Sequence, residues 1–200
     1  MERVMILMAA CFVALPVSPA SAAPPRAVKS GTLEMSCVGL DPIELCFSGQ
    51  EPADLMLRVA GKETGILSYG PEPGLPYEIE GRQGAYRVKV GSRSRSDIPF
   101  FAYREVTFRR VGQSYRVERY TIATDFGCEG SPDIRMIYEF DLFKRRMTAV
   151  LAPPWSSDNK VHRFVRPAKL ADNDLFRLSS SDFTDRIGRP IPEIQGLCSA

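Results

Sequence analysis

Apolar and polar residues alternate in short runs along most of the chain, most clearly between Tyr103 and Ile122. Two arms rich in β-branched and aromatic residues flank Gly112-Gln113 there. With those two residues as the loop, Val111 faces Ser114, Arg110 faces Tyr115 and Phe108 faces Val117. Val106, Phe108 and Val117 then share an apolar face, and charged residues take the other. Glycine at the first loop position suits a type II′ turn, whose twist matches that of paired strands. After Val117 the apolar parity moves to Tyr120 and Ile122, which predicts a β-bulge near Glu118-Arg119.

The same two-residue period predicts further strands over residues 32–38, 43–48, 54–59, 65–69, 77–80, 85–90, 134–143, 147–151 and 161–165. The run 134–143 is the longest of them. Residues 70–76 hold three prolines, which removes ladder donors and confines them to a loop or an edge. Residues 91–97 read as a basic polar loop, and 124–132 as a loop carrying Cys128. Residues 168–178 are the one place for a short helix, and from about 166 the chain is expected to run out as an extended tail pinned by Cys198. The sum is an all-β antiparallel sandwich or barrel of about nine or ten short strands, with at most one short helix near the C-terminus.

Composition adds little to this: 44% hydrophobic, 25% charged and a net charge of +2 are ordinary for one globular domain. The N-terminus changes the picture more. Met1-Glu2-Arg3 precedes an almost wholly apolar run from Val4 to Leu15, Pro16 breaks it, and Ala20-Ser21-Ala22 matches the small-residue cleavage pattern. Residues 1–22 are therefore expected to be a signal peptide, with an uncleaved anchor as the alternative. Met8-Ala9-Ala10-Cys11 is loosely similar to a lipobox and sits very early. Beyond the leader the expectation is a Pro-rich mobile arm over 23–31, a single β domain over 32–200, and no transmembrane helix in the mature chain.

Export makes the cysteines informative. Without Cys11 there remain Cys37, Cys46, Cys128 and Cys198, which read as two disulfides with three possible connectivities. Cys37 and Cys46 are near enough to bridge a hairpin, which leaves Cys128 with Cys198. The sequence has no C-x-x-C and only His162 as an imidazole, so neither a metal nor another cofactor is expected.

Charge is distributed unevenly. Glu34 to Glu80 holds nine acidic and two basic residues, whereas Arg82 to Arg119 holds ten basic and three acidic ones. Two arrangements follow from this: the blocks neutralise each other across strands, or they stand apart as patches for charged partners. In the second, Arg93, Arg95, Arg109, Arg110 and Arg116 form one basic edge, with Ser114 and Tyr115 beside them. Its partners would be anionic cell-wall or lipid material, or another envelope protein. Nucleic acid is not expected, because export removes the opportunity. Tyr115 and Tyr120 follow the pleat rather than forming a stacking platform.

No catalytic constellation is legible. The chain lacks G-x-S-x-G, and His162 shares a strand face with Phe164, the ordinary setting of a packed histidine. Glu139 and Asp141 share a face and could serve as paired carboxylates, but a solvated strand face has the same pattern.

The stretch from Met35 to Cys46, together with Leu57-Arg58-Val59-Ala60-Gly61, resembles the opening of a group of small exported bacterial β proteins with a paired-cysteine hairpin. Over residues 33–122 the chain is also similar to periplasmic lysozyme inhibitors, compact β-barrels that insert a loop rich in Ser, Gly and Tyr into a lysozyme cleft. Gly112-Gln113-Ser114-Tyr115 has those residue types in another order. The resemblance implies an exported, non-catalytic binding protein of the envelope. The alternatives are an envelope hydrolase that uses carboxylates and a structural subunit that adds to a partner's sheet edge.

Overall fold

The computed structural model describes residues 26–33, 37–47, 55–67, 75–92, 102–126, 134–151, 160–170 and 172–187. These form two antiparallel sheets and one short helix, an all-β sandwich. The strands are β1 (Ala27–Leu33), β2 (Val38–Leu40), β3 (Ile43–Phe47), β4 (Leu55–Val59), β5 (Lys62–Thr64), β6 (Leu75–Arg82), β7 (Ala85–Ser92), β8 (Ala102–Val111), β9 (Ser114–Phe126), β10 (Ile134–Asp141), β11 (Arg146–Leu151) and β12 (His162–Pro167). The helix is α1 (Ser181–Ile187). The large sheet has the order β1-β6-β7-β8-β9-β10-β11-β12, and the small one β2-β3-β4-β5.

The central hairpin forms in the expected register. Val111 pairs with Ser114, Arg110 with Tyr115 and Phe108 with Val117. Gly112 has φ +62°, and Gln113 is not among the positive-φ residues, the combination a II′ turn requires. Thr107 pairs with Arg119 while Phe108 pairs with Val117, so Glu118 is the extra residue of a bulge. The bulge returns Tyr120 and Ile122 to the inner face, where both are buried.

One hydrophobic cluster joins the layers. Ile43, Leu45, Leu57 and Val59 of the small sheet belong to it, as do Ile79, Val88, Phe108, Val117, Tyr120 and Phe140 of the large one. Alternation explains the selection: in β4 the burial pattern is buried–half–buried–half–buried. The Tyr120 hydroxyl is inside the core and donates to the Ile66 carbonyl at 3.0 Å, which satisfies it.

Several local expectations change. Residues 32–33 and residue 38, expected in one strand, belong to different sheets. β1 pairs with β6 in the large sheet, whereas β2 begins the small sheet by pairing with β3. Residues 27–31, expected within the mobile arm, lie in β1 and are ordered by the β6 ladder. Pro76 lies inside β6, at a position where only β1 runs alongside, because the β6–β7 ladder starts at Tyr77. That placement is edge-like, as expected of a proline in a sheet. β9, with 13 residues, is longer than β10, with eight.

The C-terminal part differs most. The described residues of 168–178 form no helix, and those of 172–187 are not simply an extended tail. β10 stops opposite Arg119, so residues 114–117 of β9 run past it by roughly 13 Å. Residues 173–175 occupy the strand edge this exposes. The Val117 N–H donates to Asn173 O at 2.8 Å, and the Leu175 N–H donates to Tyr115 O at 3.0 Å. Leu175 and Leu178 then turn into the core. The helix follows at Ser181–Ile187, started by the Asp182 carboxylate, which accepts from the Ser179 N–H at 2.8 Å and its hydroxyl at 3.0 Å. This is half of a capping box. The helix seats Phe183 against Tyr120, with stacked rings 4.0 Å apart, and edge-on to Phe140 at 5.2 Å.

Candidate functional site: the turn end of the large sheet

Antiparallel order places the turns β6–β7, β8–β9 and β10–β11 at one end of the large sheet. Arg109, Arg110, Ser114, Tyr115 and Arg116, singled out from the sequence, sit at this end on the β8–β9 turn. Arg93, Arg95, Cys128 and Cys198 lie outside the described residues, as does the leader. Cys37 and Cys46 are joined, with Cα atoms 4.1 Å apart, so the local disulfide is present.

The arginines of the turn are each held by a specific neighbour. Arg109 is exposed, and its Nε lies 2.8 Å from Glu118 Oε1, the carboxylate that the bulge turns outward. Arg110 donates from Nε to Gly112 O at 3.0 Å, and its backbone N–H donates to Gly84 O at 2.7 Å. Arg116 reaches across to the C-terminal segment, with Nη1 3.3 Å from Asp172 Oδ1 and 3.2 Å from Asn173 Oδ1. Tyr115 is not a surface residue: it is 5% exposed. Its ring packs between Phe108, Tyr86 and Phe176 at centroid distances of 6.1, 6.4 and 6.1 Å. Alternation puts it on the inner face with Val117, so it cannot offer itself to a partner as the surface reading supposed. Ser114 is half-buried.

The β10–β11 turn adds cations that the sequence reading did not select. Arg119, Asp141 and Arg146 lie side by side on β9, β10 and β11. All three are on the outer face, since Tyr120, Phe140 and Met147 beside them are buried. Lys144 bends over Asp141 with Nζ 3.4 Å from Oδ2, and its backbone N–H donates to Oδ1 at 2.9 Å. Burial raises the Asp141 pKa, but the hydrogen bonds from Lys144 and the charges of Lys144 and Arg146 outweigh it and hold the carboxyl below its ordinary value. Phe143, next in the turn, is 66% exposed. The signal for this group in the sequence was the consecutive run Lys144-Arg145-Arg146.

Charge elsewhere on the large sheet is neutralised across strands. Arg87 of β7 lies 2.6 Å from Glu78 Oε2, 3.3 Å from Glu80 Oε1 and 3.2 Å from Glu105 Oε2. The Nε contact with Glu105 is an ion pair by distance but lacks hydrogen-bond geometry. Arg26 pairs with Glu80 as well. Lys89 lies 4.3 Å from the centroid of the Tyr103 ring. Glu78 and Glu80 of the acidic block are therefore neutralised across strands, chiefly by Arg87 of the basic one.

The remaining sequence candidates are also placed. Glu139 lies between Thr121 and Thr148 on the outer face, one pleat from Asp141, and Asp141 is already paired with Lys144. His162 is half-buried at the start of β12, opposite Leu151. Among the described residues no three His, Cys, Asp or Glu side chains come together to hold a metal, and no helix is long and apolar enough to cross a membrane. β1 and β12 are the edges of the large sheet and carry Lys29, Arg163 and Arg166, which is how natural edges discourage pairing with another chain.

No family model matches this sequence, and neither a curated protein nor a solved structure matches it.

Proposed function

We propose that this is an exported, non-catalytic binding protein of the bacterial envelope, and that the turn end of its large sheet binds anionic cell-wall or lipid material. One observation carries the reading: cations outnumber carboxylates at that end, where Arg110, Arg119, Arg145 and Arg146 make no ion pair among the described residues, while opposite charges meet over β6 and β7. Arg109, Arg110 and Arg116 ring the β8–β9 turn, and Arg119, Lys144, Arg145 and Arg146 ring the β10–β11 turn. Guanidinium groups suit this work, because their planar fork matches carboxylate and phosphate oxygens. The leader and the Cys37–Cys46 disulfide support an oxidising, exported setting.

The test is sedimentation of the mature chain with peptidoglycan and with anionic vesicles, across a salt series. Binding is expected to weaken steeply with salt, because exposed charge is screened within about 8 Å at physiological ionic strength. Arg109→Glu with Arg110→Glu is expected to lower affinity at least tenfold. Salt-independent binding, or full affinity in that double variant, would reject the reading. Lysozyme inhibition by the same preparation tests the partner-protein version of it.

A further inference from the structure

Resting on the reading that this end of the sheet meets anionic material, we propose that the β10–β11 turn docks on an anionic phospholipid bilayer. Phe143 enters the interface, and Arg119, Lys144, Arg145 and Arg146 take up headgroup phosphates around it.

Phe143 is the most exposed large apolar side chain among the described residues, at 66%. A single exposed apolar residue is ordinary on a protein surface; its surroundings set this one apart. It stands as a ridge between two clefts. One, of about 310 Å³, is lined by Thr107, Glu118, Arg119, Asp141 and Lys144. The other, of about 270 Å³, is lined by Leu142, Arg145, Ala168, Leu170, Asp172 and Asn173. The ring is therefore not packed into a neighbour on either side.

The acidic groups nearby are already committed. Glu118 holds Arg109, Asp141 holds Lys144, and Asp172 holds Arg116 and Arg177. Arg119, Arg145 and Arg146 form no ion pair among the described residues, and all three are exposed. Positive charge is thus left over around the ring.

The turn is also held in place. The Leu142 N–H donates to Glu118 O at 3.1 Å, the Lys144 N–H to Asp141 Oδ1 at 2.9 Å, and the Ala168 N–H to Arg145 O at 2.9 Å. A preformed turn presents its aromatic tip without a further ordering cost on binding. A soluble anionic polymer would reward the cations and leave the ring in water. A bilayer interface rewards both, because binding there grows with buried apolar area and with attraction to anionic lipid.

The experiment places a reporter at the tip. Phe143→Trp is made in a chain whose single tryptophan, Trp155, is replaced by Phe. The protein is mixed with vesicles of phosphatidylglycerol and phosphatidylcholine, or of phosphatidylcholine alone. With the anionic vesicles the emission should shift to the blue and be quenched by brominated lipid; with the neutral ones it should do neither. Phe143→Ala should weaken partitioning roughly five- to tenfold. Lys144→Gln with Arg146→Gln should weaken it by about fivefold for each charge removed. Val161→Ser, at a comparably exposed apolar residue beside β12, should leave it unchanged. If the protein binds anionic vesicles while the tip tryptophan stays in water, or if Val161→Ser costs as much as Phe143→Ala, insertion is wrong and the broader reading stands. Binding to peptidoglycan but to no vesicle overturns the lipid assignment alone. Binding to neither overturns both.

Discussion

The outer face of β6–β8 and the β10–β11 turn use the same residue types to opposite ends. On the first, Arg26, Arg87 and Lys89 meet Glu78, Glu80 and Glu105, and the pleat brings Arg87 beside Glu80 and Lys89 beside Glu78 and Glu105. On the second, Arg119, Lys144 and Arg146 surround Asp141, and Arg145 lies in the same turn beyond Phe143. One surface is closed by its own charges, and the other keeps charge and an aromatic ring facing solvent. A formal net charge of +2 for the chain conceals this difference. The sign of a surface depends on register, because register decides which residues are opposite each other.

The comparison can be tested by substitution, starting where the largest effect is expected. Arg87→Met removes the cation that three carboxylates share, leaving them half-buried and mutually repelling. We expect a loss of about 2 kcal/mol in stability, measured by urea unfolding. An unchanged midpoint would mean that the face is not held by its charges.

Next is the acid response of the link between the hairpin and the C-terminal segment. The Asp172 carboxyl is held below its ordinary value of 3.8, first by the N–H groups of Asp174 and Asn173 and then by Arg177. A depressed carboxylate contributes stability that is present above its unfolded pKa and lost as pH falls through its folded pKa. Amide exchange over residues 172–187, taken relative to the intrinsic rate at each pH, should therefore accelerate only below about pH 4. Asp172→Asn should remove that step, at a cost of under about 1 kcal/mol at neutral pH, since the group is near the surface. Acceleration that begins near pH 6 would assign the link to another group.

The smallest effects belong to the turn. Phe143→Ser should change stability by less than about 0.5 kcal/mol, because the ring is already in water. Lys144→Gln with Arg146→Gln should be comparably mild in thermal unfolding. A large loss in either variant would mean that the turn is part of the structure's support, and the contrast with β6–β8 would fail.

Much of the fold could be read in advance where local rules agree. Gly112, the alternation on both sides of it and the parity change after Val117 together specified a hairpin, its register and its bulge. Cys37 and Cys46 were close enough in sequence to pair without help from the rest of the chain. The C-terminal segment was not readable in this way. Leu175, Leu178 and Phe183 follow no regular period, because each fills a gap left by other elements. The Ser179–Asp182 capping signal was present, but nothing nearby gave it weight. The candidate site was half legible. The basic residues around Gly112 could be named, yet Tyr115 among them belongs to the core, and Phe143 with Arg119 emerged only when β9, β10 and β11 were side by side.

By itself, then, the chain's order of residues determined most of its strands, its central tight turn and one disulfide, since these depend on neighbours a few positions away. Tertiary structure decided which charges cancel, which aromatic ring is left in water and what covers the free edge of β9. Those outcomes depend on the stagger between strands and on residues more than fifty positions apart, such as Arg116 and Asp172. No local pattern carries that information, because the partner is supplied by packing.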